Sequence, residues 1–180
     1  MEQMFEIDQA RPEDAAQLLA YLKRVGSETD NLTFGAEGLP GTAEQEAAYL
    51  RQMLESPDDV QYVVRYRGTI VADGSLHRLP RRMSHRAEIG VSVVKECWGR
   101  GVGSALMEEM LAFAKQRSIR QLNLQVRSDN ARAIRLYEKF GFQKLCTFPA
   151  FFKINGQDID FDLMTLFVLG VSALHPDHQG

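Results

Sequence analysis

The stretch from Val91 to Leu106 constrains the fold of this chain most, because an alternating apolar strand runs there through a turn with three glycines directly into a helix. The first N–H groups of a helix have no internal acceptor, and the helix dipole adds positive potential at the same end. Glycines in the turn let a ligand approach the backbone. The pattern predicts an anion site at residues 99–104, most naturally for phosphate, with Lys95 and Arg100 at its rim.

Two familiar phosphate-binding motifs do not match this turn. A P-loop requires a Gly-Lys pair, and the chain contains none. The dinucleotide fingerprint G-x-G-x-x-G fails at its last position, which is Ser104 when counted from Gly99 and Leu106 when counted from Gly101. A tight turn whose glycines serve packing alone is the plain alternative, and we favour the ligand site over it.

The rest of the chain predicts seven strands and four helices in the order β-α-α-β-β-β-α-β-α-β-β. The predicted strands are residues 5–8, 60–66, 69–76, 86–94, 121–126, 142–146 and 158–168. The predicted helices begin near Pro12, at residue 43 after a Thr42 capping box, after Gly103, and after the cap Asn130. This order predicts a mixed sheet with helices on both faces, an α/β or α+β fold.

Composition narrows the class of protein further. A chain of 180 residues suffices for one domain, and we expect it over residues 1–169 with a loose tail at 170–180. A balance of 21 basic and 24 acidic residues argues against nucleic acid as a partner. Cys97 and Cys146 lack metal-ligand spacing, so no metal site is expected. No signal peptide or membrane span is recognisable, which makes the cytoplasm the expected compartment.

Two blocks of the sequence carry a resemblance to a known family. Gly101 and Gly103 occupy the small positions of a Gln/Arg-x-x-Gly-x-Gly/Ala pattern, and Trp98 stands at its first position. Residues 130–142 place an asparagine at a helix start, followed by Tyr137 and a Gly-Phe pair. With the element order and the spacing between the blocks, these residues resemble the GNAT superfamily of N-acetyltransferases over most of the chain.

The resemblance implies a mostly antiparallel seven-stranded sheet whose strands around residues 90–93 and 122–126 splay apart. It implies acetyl-CoA as the co-substrate, with its pyrophosphate on the N–H groups of residues 99–104 and its pantetheine arm beside the strand at 91–93. The residues expected to bind acetyl-CoA are Val91, Ser92, Val93, Trp98, Gly99, Arg100, Gly101, Val102, Gly103, Ser104 and Asn130.

The implied reaction is direct attack of an amine on the thioester in a ternary complex, without an acyl-enzyme. It needs a proton acceptor, an oxyanion donor and a group that stabilises the leaving thiolate. Tyr137 lies two helical turns after Asn130, on the same face, and is the predicted donor to the thiolate. Glu88 is the predicted general base. The alternative is that Glu88 is an edge residue that is exposed to solvent or paired with Arg86. By resemblance, the N–H of Val93 is the oxyanion donor.

Two further groups of residues have weaker signals. Glu28 and Asp30 follow the first helix in a segment that resembles a substrate-side loop, so they are predicted to bind the substrate and are rivals of Glu88 as the base. Phe148, Phe151 and Phe152 are expected to belong to the core, with a substrate pocket or a dimer interface as alternatives.

The sequence leaves the acceptor open between a small-molecule amine and a protein N-terminal amine, because a fold does not determine a substrate. A homodimer is compatible with the exposed closing strands. Two other functions stay open. One is a non-catalytic sensor that binds acyl-CoA, and the other is a nucleotide-dependent oxidoreductase.

Overall fold

The computed structural model describes residues 5–168, so the predicted tail at 170–180 lies outside the described residues. The seven strands are β1 (Phe5–Gln9), β2 (Val60–Tyr66), β3 (Thr69–Arg78), β4 (Arg86–Val93), β5 (Gln121–Arg127), β6 (Gln143–Ile154) and β7 (Gln157–Phe167). The four helices are α1 (Ala15–Glu28), α2 (Ala43–Glu55), α3 (Val102–Gln116) and α4 (Ala131–Lys139).

All seven strands form one sheet in the order β1-β2-β3-β4-β5-β7-β6. Every neighbouring pair is antiparallel except β4 and β5, which are parallel. The predicted fold class, a mixed and mostly antiparallel sheet with helices, is confirmed.

The sheet parts in its middle. β4 and β5 pair only over Arg86–Glu88 and Gln121–Asn123. Beyond this point each strand stays paired to its outer neighbour, β4 to β3 as far as Val93 and β5 to β7 as far as Arg127. A wedge-shaped gap therefore opens between the two halves of the sheet, and the inner backbone groups of both strands lack a strand partner there.

The hydrophobic core forms two clusters, and the second contains residues from both halves of the sheet. In the first, Leu18 of α1 and Leu50 of α2 pack against β2 and β3. In the second, Met107 of α3 packs with Leu122 of β5 and Met164 of β7. Each fully buried side chain of this size contributes about 2 kcal/mol. Because the second cluster also contains Leu76 of β3 and Ile89 of β4, the packing around α3 joins the two halves of the sheet.

The predicted Arg67-Gly68 hairpin turn between β2 and β3 is confirmed, with both residues at positive φ (52° and 76°), as a two-residue turn requires. The sixth strand was predicted at residues 142–146, but β6 runs to Ile154, and its register against β7 shifts between Phe148 and Phe152. Pro149 lies in this irregular stretch, so a residue that normally ends a strand is accommodated here at a bulge.

The expectation that the aromatic run is core is wrong for two of its members. Phe148 is 57% exposed and Phe151 is 37% exposed. The β6–β7 hairpin that carries them is held by buried Asp162, which accepts hydrogen bonds from Ser128 Oγ (2.7 Å) and Thr147 Oγ1 (2.8 Å). This anchor ties the hairpin to the end of β5. The predicted homodimer stays a prediction.

A close backbone approach fixes the segment that follows α1. Gly26 is buried in α1, and a Cβ added there would overlap the carbonyl oxygen of Gly35. The glycine thus lets residues 31–40 lie directly against α1, even though glycine weakens a helix interior by about 1 kcal/mol relative to alanine.

We expect Gly26→Ala to destabilise the protein by about 2 kcal/mol, because the overlap with backbone outweighs the gain in helix propensity. The measurement is urea unfolding followed by circular dichroism. Ser27→Ala, an exposed change one residue further along the same helix, is the control and should stay within about 0.5 kcal/mol of the wild type. A more stable Gly26→Ala variant would show that residues 34–35 move away without cost.

Candidate active site

The N-terminal end of α3 is open to a ligand. The first backbone bond that closes onto this helix runs from the Ala105 N–H to the Gly101 carbonyl (3.0 Å), so the N–H groups of residues 102–104 have no helical acceptor. Gly99 and Gly101 adopt φ of 74° and 82°, and a Cβ at either position would meet nothing within 4 Å. Their left-handed backbone requires glycine, and free space lies in front of them.

Gly103 serves a different purpose. A Cβ at this position would lie 3.0 Å from Leu136 Cδ2 of α4. Its small size therefore lets α3 and α4 approach each other at the site, a packing role that the motif reading did not distinguish from ligand access.

Trp98, which stands where the family pattern has Gln or Arg, closes the end of β4. Its indole Nε1 donates to the Val93 carbonyl at 2.8 Å, and the Arg132 guanidinium lies 3.4 Å from its ring centroid. Lys95 Nζ lies 5.9 Å from the same ring. Arg100, expected at the rim, instead lies over the rings of β1 and β2, 4.9 Å from the centroid of Phe5. The charge beside Trp98 comes from Arg132 and Lys95.

The direction of the Val93 N–H follows from its neighbours. The Val94 N–H donates to the Val71 carbonyl of β3 at 3.0 Å. The carbonyl of Val93 belongs to the same trans peptide and so points the opposite way, toward the gap, where Trp98 binds it. In an extended strand the N–H of a residue points to the same edge as its own carbonyl. The Val93 N–H therefore faces the gap.

A narrow, mostly apolar cavity of about 120 Å³ lies along this edge of β4. It is lined by five of the residues predicted to bind acetyl-CoA, namely Val91, Ser92, Val93, Trp98 and Asn130. The side-chain oxygen of Asn130 accepts from the Ala133 N–H (3.3 Å) and so caps α4 as predicted. The unpaired N–H groups at the start of α3 suit a diphosphate. The apolar channel and the unpaired edge of β4 suit a thin arm that ends in a thioester.

A larger cavity, of about 570 Å³, crosses the sheet at the gap. One end is built by side chains of β2, β3 and α2, and the other by aromatic side chains of β6 and β7. Because the strand order places these pairs on opposite sides of β4 and β5, the gap lies between the two ends. Val91, Ser92, Asn130 and Tyr137 line both cavities, so the large and narrow spaces meet at these residues.

Tyr137 stands where the cavities meet. Only 7% of the residue is exposed, and its ring packs against Phe142 with 5.9 Å between centroids. Burial raises the pKa of its phenol to about 12. The hydroxyl is therefore protonated at any physiological pH.

The three predicted acids do not come together at the cavity. Glu88 is exposed, lies opposite His77 of β3, and is absent from the described lining of the large cavity. Glu28 accepts from the Lys95 N–H (2.6 Å) and from Arg24 Nε (3.1 Å), which fastens the end of α1 to the end of β4. Asp30 lines a third cavity, of about 520 Å³, beside the β6–β7 hairpin; it shares Phe151 and Phe152 with the large cavity, but Asp30 does not line the large one.

An acid that the sequence reading missed does line the large cavity. Asp73 of β3 lies directly opposite Ser92 in the β3–β4 ladder, and Gln61 Nε2 donates to its Oδ1 at 2.8 Å. Burial raises the pKa of Asp73 to about 6, with the Gln61 bond opposing the shift and Glu46 adding to it. In the sequence Asp73 shares one face of the alternating strand with Ser75 and His77, so it resembles an ordinary polar position there.

Two hydrogen-bonded hydroxyl groups lie close to Asp73. Tyr21 of α1 and Ser92 share a hydrogen bond of 2.7 Å between their hydroxyl oxygens. Burial raises the pKa of Tyr21, and the negative charge of Asp73 raises it further. Tyr21 is thus a neutral hydroxyl that orients Ser92 beside the gap.

Comparisons with known proteins agree with this geometry. The sequence pattern of the Acetyltransferase (GNAT) family matches residues 28–142. The chain is 33% identical over 113 residues to the N-alpha-acetyltransferase RimI of Mycobacterium tuberculosis, covering 62% of this chain and 69% of that protein. It is 33% identical over 112 residues to the L-amino acid N-acetyltransferase AaaT of Escherichia coli, covering 61% and 68%.

A solved structure extends the likeness to nearly the whole chain. An acetyltransferase of the GNAT family from Streptococcus pneumoniae superposes with a TM-score of 0.88 at 30% identity, over 91% of this chain and 99% of that one. The fold, the site and these relatives define an acyltransferase. This chain belongs to the GNAT family of acetyltransferases.

Neither a metal centre nor a membrane-spanning helix occurs within residues 5–168. No cluster of three or more His, Cys, Asp or Glu side chains there has the arrangement of a metal site. No helix of the described part is long and apolar enough to cross a membrane.

We expect Gly101→Ala to weaken acetyl-CoA binding about tenfold, because the alanine strains the left-handed turn and tilts the free amides at α3. Isothermal calorimetry measures the affinity. Gly68→Ala is a matched control, since Gly68 has a similar φ (76°) and equally open surroundings but lies in the β2–β3 turn. Equal losses of affinity in both variants would contradict an anion site at residues 99–104.

Proposed function

We propose that this protein transfers the acetyl group of acetyl-CoA to a primary amine by direct attack within a ternary complex. The observation that carries the proposal is the meeting of a narrow channel and a wide, partly acidic cavity at Tyr137 and the unpaired edge of β4. A thioester entering by the channel and an amine entering by the cavity meet there. A sensor of acyl-CoA alone would have no use for the second cavity.

The residues that would hold acetyl-CoA lie at the start of α3 and along the narrow channel. The free N–H groups at residues 102–104 would take the diphosphate, with Arg132 and Lys95 nearby. The channel beside Val91 would take the thin arm. The Val93 N–H faces the gap and would donate to the thioester oxygen as negative charge develops on it.

The amine needs a base, because it attacks as a neutral group and must lose a proton. Glu88 was the prediction, and it stays one, but the cavity geometry supports Asp73 instead. Asp73 lines the cavity beside Ser92, and its raised pKa of about 6 makes it a better base at neutral pH than an ordinary aspartate. As the new C–N bond forms, the proton passes to Asp73, directly or through water.

Tyr137 would act on the sulfur. As the C–S bond breaks, the electron pair goes to sulfur, and the phenol donates a hydrogen bond to the thiolate. A thiol has a pKa of roughly 8.5, below the value of about 12 for Tyr137, so complete proton transfer from the phenol would be uphill. The hydroxyl therefore stabilises the thiolate, which takes its proton from solvent.

Relatives frame the choice of acceptor. The protein from M. tuberculosis is named for N-alpha acetylation, and the one from E. coli for acetylation of L-amino acids. For this chain we propose an amine acceptor in the same broad sense, a small-molecule amine or a protein N-terminal amine.

The Tyr137→Phe substitution should lower kcat about 10- to 100-fold while leaving the affinity for acetyl-CoA within a factor of about two, since it removes one donor used only as charge develops on sulfur. The measurements are thiol release with saturating amine and calorimetric titration of acetyl-CoA. An unchanged kcat would remove Tyr137 from the chemistry. Absence of turnover in the wild type with every amine tested would instead favour the sensor.

Asp73→Asn and Glu88→Gln separate the two candidate bases, because each replaces an acid by its amide. For the wild type we expect kcat/KM to fall as the pH drops through about 6, where Asp73 becomes protonated. Asp73→Asn should lose that fall and lower kcat/KM at pH ~7.5 by about 100-fold or more. If Glu88→Gln shows those effects and Asp73→Asn does not, Glu88 is the base.

Thermal unfolding of the Asp73→Asn variant shows whether such a loss of activity comes from unfolding. The folded-state pKa of Asp73 lies above the unfolded value of 3.8, so the folded state favours the protonated form. The contribution of that protonated form to stability is therefore lost as the pH rises from about 4 to about 6. The Asp73→Asn variant, which is neutral at this position, should be at least as stable as the wild type at pH ~7.5.

A further inference from the structure

The acidic end of the large cavity holds an unsatisfied acceptor. Gln61 is only 7% exposed and lines the cavity. Its amide nitrogen donates to Asp73, while its side-chain oxygen has no hydrogen-bond partner among the described residues. A buried acceptor left unpaired costs free energy, so a small turn of the Gln61 side chain toward a donor in the cavity would be favourable.

The charges around this oxygen are negative. Asp73 lies next to Gln61, and Glu46 of α2 lines the same end of the cavity, close enough to act on Asp73 electrostatically. Two carboxylates and an amide oxygen together form a set of acceptors that suits an ammonium group with its three N–H donors.

The cavity lacks the opposite charge. Among its described lining residues none is Lys or Arg. His77 lines it too, but its Nε2 lies 3.4 Å from the Tyr49 hydroxyl and its Nδ1 3.9 Å from Asp59, so both ring nitrogens already have neighbours. A substrate with a carboxylate beside its amine would place that carboxylate near Asp73 and Glu46 without a cation to pair it.

The far end of the cavity is apolar. Phe151, Phe152 and Phe161 line it, and the rings of Phe152 and Phe161 lie 4.3 Å apart between centroids. These rings offer contact area for an apolar or aromatic group. The rings offer no hydrogen-bond partner to the N–H and carbonyl groups of a peptide; the lining residues that have such groups are others, among them Asn31 and Gln125.

We infer that the acceptor is a small primary amine with an aromatic or apolar body and no carboxylate, bound with its ammonium group between Asp73, Glu46 and the Gln61 side-chain oxygen. This inference rests on the proposed acetyl transfer and specifies its substrate class. Since Asp73 faces Ser92 across the β3–β4 ladder, an ammonium at this point lies beside the strand edge where the thioester would be held. The body of the amine then reaches the phenylalanines across the gap.

Matched pairs that differ only by a carboxylate test this class. With the full-length enzyme and saturating acetyl-CoA, thiol release is measured for tyramine against L-tyrosine and for phenethylamine against L-phenylalanine. We expect kcat/KM for each amine to exceed that of its amino acid by about 100-fold or more, because like charges placed together are strongly unfavourable. Equal values, or a preference for the amino acids or for a peptide with a free N-terminus, would overturn the inference.

A pair of glutamate variants on one helix links the preference to the cavity. Glu46→Gln should reduce the ratio of the tyramine to the L-tyrosine kcat/KM about tenfold, since it removes one of the two repelling charges. Glu44→Gln, two residues earlier at an exposed position outside the described cavity lining, is the control and should leave the ratio unchanged. A ratio that Glu46→Gln does not alter would show that the acidic end does not select the substrate.

These experiments distinguish an incorrect substrate class from an incorrect reaction. If amino acids or peptides are acetylated as well as the amines, the substrate class is wrong and acetyl transfer stands. If acetyl-CoA binds but no amine, amino acid or peptide releases thiol, acetyl transfer itself is wrong and the substrate class falls with it.

Discussion

The separation of β4 from β5 is the constraint on which the rest of the structure depends. Backbone N–H and carbonyl groups inside a sheet normally satisfy one another, and strands that part leave them without partners. Here each strand keeps full pairing with its outer neighbour, and the second hydrophobic cluster joins side chains of β2, β3 and β4 to those of β5 and β7. The gap therefore persists without a partner strand. Its inner edge offers a ligand the hydrogen bonds that a neighbouring strand would otherwise make, and both cavities open along it.

Much of this arrangement was predictable because local patterns determine it. The alternation in β4, the glycine turn and the capped helices act over a few residues, and the structure has them in the predicted places. Gly101 was identifiable because only glycine adopts its left-handed backbone without strain. The packing role of Gly103 was not, since it depends on Leu136 of a helix that follows only after another strand of the sheet.

The placement of the acidic side chains could not be predicted from the sequence. Glu88 was chosen because it lies on the correct strand and face, and both features are local. Whether a side chain reaches a cavity depends on what covers it, and the carboxylate of Glu88 is left exposed while that of Asp73 lies in the cavity beside Gln61. The motif directed attention to β4, whereas Asp73 lies in β3, on a face that it shares with Ser75 and His77 and where the sequence does not distinguish it. The full length of β6 was missed because Pro149 normally ends a strand, whereas here it lies where the register against β7 shifts.

The cost of Asp73 argues for a role beyond stability. A carboxylate whose pKa is raised to about 6 is less favourable in the folded protein at neutral pH than the uncharged amide that Asp73→Asn would introduce. Its single side-chain partner, Gln61, has its own oxygen unpaired, so the pair is incompletely satisfied. A purely structural pair would gain from an apolar replacement of similar volume. The pair lies in the lining of the large cavity, and a cationic ligand is a partner that would satisfy both groups.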